Sequence, residues 1–228
     1  MTIITGASFA NGVFYHNHKV LACAEVKNGV IHTWGEPMTL RTLFKMWLRI
    51  FGGLPWYYNL LHAAMVLYLL FPVFGEIDPL WLIVYLIGFH FVFPRQLKMF
   101  HGAEHKVFSH AGIKKLDKQG LDEIARASIV NAGCSTNVVT SFFVLFLPAL
   151  LFLPLWASIL AGVSGIVLGM LGIKYAQEYM KPLYQLSGFL QKYVTTKEPK
   201  RVHLETAVRS YLMFLHVQTQ VQATQTTT

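Results

Sequence analysis

Long stretches without a charged residue dominate the pattern along the chain. Residues 56–75 and 79–94 contain no Asp, Glu, Lys or Arg, and neither do residues 127–173. The last stretch is apolar almost throughout from Val138 and is too long for one membrane crossing, so a turn at Pro154 is expected to divide it. About twenty apolar helical residues cross the roughly 30 Å hydrocarbon core of a bilayer. The pattern predicts a mainly α, polytopic membrane protein with four membrane helices in two hairpins, at 56–75, 79–94, 137–154 and 157–173.

The positions of the basic residues support this arrangement. All nineteen Lys and Arg residues fall before residue 56, between residues 95 and 136, or after residue 173. Segments rich in Lys and Arg next to membrane helices stay in the cytoplasm. The partition therefore predicts a multi-pass protein of the cell membrane with both termini and the middle segment in the cytoplasm.

Outside the predicted spans the pattern changes to shorter elements. Residues 11–34 alternate and turn like a small antiparallel sheet, and Asn28-Gly29 is a strong hairpin signal. Residues 38–51 combine a basic stripe with Leu, Phe and Trp, which is typical of a helix lying on a membrane surface. The expected organisation is a β region at 1–37, an amphipathic interfacial helix at 38–55, a first membrane hairpin at 56–94, a cytoplasmic segment at 95–136, a second membrane hairpin at 137–173, cytoplasmic interfacial helices at 174–216 and a disordered tail at 217–228.

The composition agrees with a membrane protein. Hydrophobic residues make up 54% of the chain and charged residues 13%, about half the charged share of soluble proteins. These values exclude a disordered chain, a coiled coil and most soluble enzymes. The net charge of +8 is better explained by membrane orientation than by nucleic-acid binding, and no nucleic-acid-binding module is visible. The expected partners are the lipid bilayer and, in addition, another membrane protein, with no nucleic acid.

The candidate chemistry follows the second predicted span, in the sequence HGAEH at residues 101–105. His101 and His105 are four residues apart, so on a helix they share one face, where they can bind one metal ion. Glu104 is turned away from that face, a position suited to accepting a proton from water. The motif predicts a divalent metal ion, with zinc favoured, bound by His101 and His105, and Glu104 as the catalytic base.

A third metal ligand is needed, and the sequence offers several candidates. Cys134 precedes the third predicted span at the same expected membrane depth as His101, and His110 follows the motif closely. Glu178 and Glu205 are expected on the same side of the bilayer. An inert buried thiol is an equal alternative for Cys134. His16, His18 and His32 offer a separate metal patch, although histidines near a turn are ordinary. His62 and His90 are better explained as neutral histidines bonded to a backbone carbonyl.

Three segments of the chain occur together in one known family. Residues 10–26 resemble its glycine-rich opening, residues 101–106 match its HGAEHK block, and residues 195–205 resemble its LTTREP…LE segment. The chain thus resembles the YqhQ-like family of bacterial membrane proteins, which are described as predicted metal-dependent enzymes. The resemblance implies a membrane scaffold with a metal site. The family's block of roughly HPRCGTS corresponds to residues 131–137, which keep Cys134 and Thr136 but lack the His, Pro and Arg.

Two functions from different classes remain open. The first is a metal-dependent hydrolase that acts on a membrane-associated substrate at the cytoplasmic interface. The second is a non-enzymatic membrane scaffold or accessory protein that binds another membrane protein. The intact HGAEH motif favours the first, and the charge-free stretch 127–173, whose surface suits a helical partner, favours the second.

Overall fold

A computed structural model describes residues 4–71 and 92–226 of the chain, together with positions 78, 80 and 85. The chain divides into two compact units. The first consists of Met1–Gly75, Pro94–Ile129 and Thr196–Thr228, and the second of Glu76–Phe93 and Val130–Thr195.

The first unit contains a four-stranded antiparallel sheet. Its strands are β1 (Thr5–Phe9), β2 (Gly12–His16), β3 (Val20–Lys27) and β4 (Val30–Pro37), and they pair in chain order. The predicted sheet at 11–34 is confirmed, while β1 was not predicted. The β3–β4 turn places Asn28 at φ 51° and Gly29 at φ 78°, the two positive values that a tight hairpin of this type requires.

The first unit also contains helices. These are α1 (Leu40–Gly52), α2 (Trp56–Leu70), α3 (Arg95–Ser109), α4 (Lys118–Arg126) and α8 (Arg201–Thr226). Helix α1 lies within the segment 38–55, where an amphipathic interfacial helix was expected, and its N-terminus is capped by Thr39. Helix α8 extends to Thr226 and so includes most of the segment 217–228 that was expected to be a tail.

Alternation along the strands produces two apolar faces. Val13 and Tyr15 of β2 pack against α3 and α8 in the main core, which includes Ala103 and Val208. Phe14, between them in the sequence, belongs to a second cluster on the opposite face. That cluster also contains Phe9, Leu21 and Cys23, with Met46 and Ile50 of α1 packed against it. The sheet is therefore covered on both faces, and α3 and α8 lie on the same face.

The second unit is helical in its described residues. It contains α5 (Ser135–Leu150), α6 (Leu155–Tyr175), α7 (Lys181–Leu190) and a π-helical turn at Gln191–Thr195. Helices α5 and α6 form a hairpin with Pro154 at the start of α6, where the sequence predicted the break. A Cβ atom at Gly165 would lie 2.3 Å from the carbonyl oxygen of Ser141, so this glycine allows the two helices to approach closely.

The prediction of a polytopic protein with four membrane helices is wrong. Among the described residues, one helix is long and apolar enough to cross a membrane, at Leu155–Gly172, by length and composition alone. Helix α2 has 15 residues and α5 has 16. These correspond to about 22 and 24 Å, short of the roughly 30 Å hydrocarbon core. The predicted span at 79–94 falls largely outside the described residues.

The error has a physical cause. The prediction equates the length of a charge-free run with the length of a helix, but such a run can contain helix ends. Helix α2 ends at Leu70, two residues before Pro72, whereas Pro148 lies inside α5, which continues for two residues beyond it. A residue before proline avoids helical backbone angles, and proline cannot donate the helical hydrogen bond.

We expect Phe14→Ala to destabilise the first unit by about 3–5 kcal/mol, because a fully buried aromatic ring would be replaced by a cavity. Val30→Ala is the control, since Val30 is an exposed strand residue. Thermal unfolding of the two variants in the same detergent measures the difference. Equal melting temperatures would contradict the second apolar cluster.

Candidate metal centre

The HGAEH motif lies on α3, and one turn of that helix brings its two histidines together. The ring centroids of His101 and His105 are 4.3 Å apart, with the rings tilted by 54°. Phe100, Ala103 and Val107 of the same helix are buried in the main core. Packing of the helix therefore fixes the direction in which the two imidazoles point.

His105 is fully buried, and its hydrogen bonding defines its tautomer. Its Nδ1 lies 2.6 Å from the carbonyl oxygen of Ile129. A carbonyl oxygen can only accept, so Nδ1 carries the proton and Nε2 carries a lone pair. This Nε2 is buried and has no hydrogen-bond partner. Leaving a buried acceptor without a partner costs about 1–3 kcal/mol. A hydrogen-bond donor or a metal ion at Nε2 would remove this cost.

Ser8 on β1 defines the same tautomer for His101. The Ser8 hydroxyl donates to Oε2 of Glu104, and Oγ of Ser8 lies 3.0 Å from Nδ1 of His101. Because the one hydroxyl proton is used toward the carboxylate, Oγ accepts from Nδ1 of His101. The lone pair of His101 is then on Nε2, as in His105.

Glu104 is buried and ionised. Burial raises its pKa, but the interactions with His101, His105 and the Ser8 hydroxyl together lower that pKa below its usual value. Its Oε2 lies 3.5 Å from Nδ1 of His101. A carboxylate behind a ligating histidine fixes the ring and increases its basicity.

The Ser8, His101 and Glu104 side chains do not form a hydrolytic triad. In such a triad the serine and the carboxylate bind opposite nitrogens of the imidazole. Here both approach Nδ1 of His101. The arrangement orients a histidine and does not activate the serine.

Cys134 completes a group of three candidate ligands. The ligand atoms of His101, His105 and Cys134 all lie within 4.8 Å of one another. Two ligands of one tetrahedral zinc ion are about 3.5 Å apart, given bonds of about 2.0–2.3 Å, so small side-chain rotations would suffice. The side chain of His101 is 12% exposed, and Cys134 is 6% exposed. A buried group of His101, His105 and Cys134 can therefore hold a metal ion.

The other predicted ligands do not join this group in the described part of the chain. His110 caps the C-terminal end of α3, and its Nε2 is buried without a hydrogen-bond partner. Glu178 forms an ion pair with Lys181, and Glu205 pairs with Arg209.

The five other histidines singled out in the sequence differ in their surroundings. Nδ1 of His62 lies 2.6 Å from the carbonyl oxygen of Tyr58, the backbone contact that was expected. His16, His18 and His32 form no metal-binding group among the described residues, and His90 lies outside them.

Cys134 is the N-cap of α5. Its sulfur accepts a hydrogen bond from the Thr136 backbone N–H at 3.4 Å. Its own N–H donates to the carbonyl oxygen of Asn131, and its carbonyl oxygen accepts from the N–H of Asn137. Cys134 follows Ile129, whose carbonyl oxygen accepts from His105, by five positions in the sequence.

A buried polar network holds the loop that precedes α5. Oε1 of Gln191, in the π-helical turn, accepts from the N–H of Asn131 at 2.8 Å. Nδ2 of Asn137 donates to the carbonyl oxygen of Ala132, while Oδ1 of Asn137 accepts from Ser187 and Gln191. π-Helical turns are frequent at functional sites, and this one supports the loop that carries Cys134.

Gly102 allows another chain segment to approach the motif. A Cβ atom at this position would lie 2.4 Å from the carbonyl oxygen of Lys197. The N–H of Lys197 also donates to the carbonyl oxygen of Lys98 at 2.9 Å. The segment that resembles LTTREP therefore lies directly against α3.

Lys106 is a buried cation whose hydrogen bonds are satisfied. Its Nζ donates to the carbonyl oxygens of Ala125 at 2.6 Å and Ala127 at 3.2 Å. It also forms an ion pair with Glu198 at 2.7 Å. An ammonium group has three donors, and these three acceptors match them.

These features define a sheet-and-helix protein in which one helix carries two histidines of a candidate metal-binding group. The chain belongs to the family described as "Protein of unknown function (DUF1385)", which matches residues 24–217. This family is consistent with the YqhQ-like resemblance. No curated protein and no solved structure matches the chain.

Sequence reasoning missed Ser8. It lies on β1, a strand without a clear alternating pattern, and it precedes the matched residues 24–217. Its role depends on the pairing of β1 with β2 and on the packing of β1 against α3, and no local motif indicates either.

We expect Ser8→Ala to lower metal affinity about 10- to 100-fold, the usual effect of removing a group that orients a ligating histidine. Ser8→Thr should restore binding because it keeps the hydroxyl. Ser210→Ala is the control, since this buried serine donates to the Val13 carbonyl oxygen and contacts no candidate ligand. Competition with a chelator of known zinc affinity measures the effect. Equal zinc affinities of the wild-type protein and the Ser8→Ala variant would contradict a role of Ser8 in the site.

Proposed function

We propose that the chain is a membrane-bound, zinc-dependent hydrolase that uses His101, His105 and Cys134 as metal ligands. The observation that carries the proposal is the buried lone pair on Nε2 of His105, beside His101 and Cys134. Imidazole and thiolate ligands suit zinc. Three protein ligands also leave one position for substrate or water, as in catalytic zinc sites.

The protein's own side chains would prepare this site. The Ile129 carbonyl and the Ser8 hydroxyl hold His105 and His101 in the tautomer that directs Nε2 toward a metal. A bound zinc ion supplies Lewis acidity, which activates water and polarises a carbonyl or phosphoryl oxygen. Burial of the ligands lowers the local dielectric and strengthens these effects.

Glu104 is the proposed proton acceptor. Its ionised state fits that role, and a carboxylate has acceptor sites beyond those used toward Ser8 and His101. A Cβ atom at position 6 would come within 2.4 Å of Oε1, so the glycine there keeps a side chain away from this oxygen. In this proposal Oε2 orients His101 and Oε1 takes the proton.

Exposed apolar helices support location at the cell membrane. Leu40 and Trp47 of α1 and Trp56 of α2 are exposed, and Leu155–Gly172 is long enough to cross a bilayer. Such surface is unfavourable in water, whereas Trp residues favour the membrane interface. The basic flanking segments favour the cytoplasmic side, so a lipid or a membrane-associated peptide is the proposed substrate class.

A second candidate is a non-enzymatic membrane scaffold that contains a structural metal ion and binds another membrane protein. It is favoured by the contacts of Glu104, which already has Ser8 and His101 as partners. In that case the carboxylate would only position His101.

We expect His101→Ala, His105→Ala and Cys134→Ser each to lose most of the bound zinc, because each removes one of three ligands. His62→Ala and Cys23→Ser are the controls, since both change the same residue types elsewhere in the chain. Elemental analysis of the purified proteins measures zinc per chain. Wild-type protein that contains no zinc, or variants that retain it fully, would contradict the proposed site.

We expect Glu104→Gln to retain zinc and to abolish function, because the isosteric amide still accepts a hydrogen bond from Ser8 but cannot take a proton. Zinc content and complementation of a deletion strain are measured on the same variant. Zinc retained with full complementation would contradict the hydrolase and favour the scaffold. Zinc lost would assign Glu104 to holding His101 and would contradict its role as base.

A further inference from the structure

A group of basic side chains lies where two helices of the first unit begin. Nε2 of His203, near the start of α8, lies 2.9 Å from Oε1 of Gln96, near the start of α3. The backbone N–H of Lys197 donates to the carbonyl oxygen of Lys98 at 2.9 Å. These contacts bring the N-terminal turns of α3 and α8 together with the segment that precedes α8.

Five cations occupy this location, and we refer to them as the basic cluster. Arg95, Lys197, Lys200 and Arg201 are exposed, and Lys98 is partly buried. The ion pairs found among the described residues include none of the four exposed members.

The acidic residue within this stretch does not neutralise the cluster. Glu198 lies between Lys197 and Lys200 in the sequence, but it pairs with the buried Lys106 at 2.7 Å. Lys106 also depends on this pair as one of its three acceptors. Since the ion pairs of the described residues include none of the four exposed members, their positive charge is available to a partner outside the chain.

The cluster is electrostatically unfavourable in the protein alone. The N-terminus of a helix carries partial positive charge and favours acidic residues. Neither α3 nor α8 has an acidic residue in its first turn, and each begins with an arginine. The pKa of Lys98 is lowered by partial burial and then by the charge of Lys197, which shows mutual repulsion. A bound anion would relieve both effects.

We infer that the basic cluster binds the phosphate groups of an anionic lipid bilayer surface. Clusters of Lys and Arg on a protein surface attract anionic lipid headgroups. The first unit also exposes apolar and aromatic side chains on α1 and α2, including Trp47 and Trp56, which suit the interface of a bilayer. The described residues 95–98 and 197–201 contain no aromatic side chain that could stack on a base, so a nucleic acid is the weaker choice.

This inference extends the proposed membrane association but does not depend on the metal ligands. The cluster shares no residue with the group of His101, His105 and Cys134. Failure of zinc binding would therefore leave the inference standing, and failure of lipid selection would leave the metal site standing.

The test is lipid titration of the full-length protein in a nonionic detergent. Fluorescent phosphatidylglycerol and phosphatidylcholine with the same acyl chains are compared, so that only the headgroup differs. Wild-type protein should bind phosphatidylglycerol at least about tenfold more tightly. The triple variant Lys197→Gln, Lys200→Gln, Arg201→Gln should lose this preference, since each basic residue near an anionic surface contributes about fivefold to binding.

A matched triple variant controls for net charge. Lys115→Gln, Lys118→Gln and Lys192→Gln remove the same charge from exposed positions outside the cluster and should keep the preference. Circular dichroism and zinc content should be unchanged in both triple variants, which separates this result from misfolding or from failure of the metal site.

Four outcomes would overturn the inference. The first is equal affinity of the wild type for both lipids, and the second is equal loss in both triple variants. The third is displacement of phosphatidylglycerol by millimolar inorganic phosphate, which would indicate a site for a small anion. The fourth is binding of a single-stranded RNA that only the cluster variant loses, without a lipid preference in the wild type.

Discussion

The hydrogen bond from Nδ1 of His105 to the carbonyl oxygen of Ile129 determines the chemistry of the candidate site. It is 2.6 Å long, and the imidazole that donates it is fully buried. Because it consumes the Nδ1 proton, it leaves the opposite nitrogen with a lone pair in the protein interior. The same bond fixes the chain five residues before Cys134. One contact therefore sets the state of His105, a candidate metal ligand.

The HGAEHK sequence combines several independent constraints on one helix. His101 and His105 must share a face, while Ala103 is fully buried in the core between them. Gly102 leaves room for the Lys197 carbonyl, and Lys106 places its charge among three acceptors. A helix that is buried on several sides tolerates few side chains at any position. The sequence of residues 101–106 is therefore constrained by packing as much as by the chemistry of the candidate site.

Much of the local structure could be predicted from the sequence, because it depends on near neighbours. The Asn28-Gly29 hairpin, helix α1 and the pairing of His101 with His105 follow from turn chemistry and helical periodicity. The membrane prediction failed because absence of charge does not define where a helix ends, as Pro72 and Pro148 show. Ser8 could not be predicted, since it acts on His101 through strand pairing and packing across 93 sequence positions.

The first unit departs from the rules that stabilise a fold at two points that involve α3, besides other buried unsatisfied polar atoms such as Nε2 of His110. One is the unsatisfied lone pair of His105 in the interior, and the other is the group of cations at the N-terminal turns of α3 and α8. The two features suit ligands of opposite charge. The lone pair of His105 can bind a cation, and the group of basic side chains can bind an anion. Folding alone explains neither, because each lowers the stability of the isolated protein. Local rules fail most often where a protein binds something, and both departures involve α3. A helix whose position is fixed by core packing can carry such costs at two points because that packing does not depend on either.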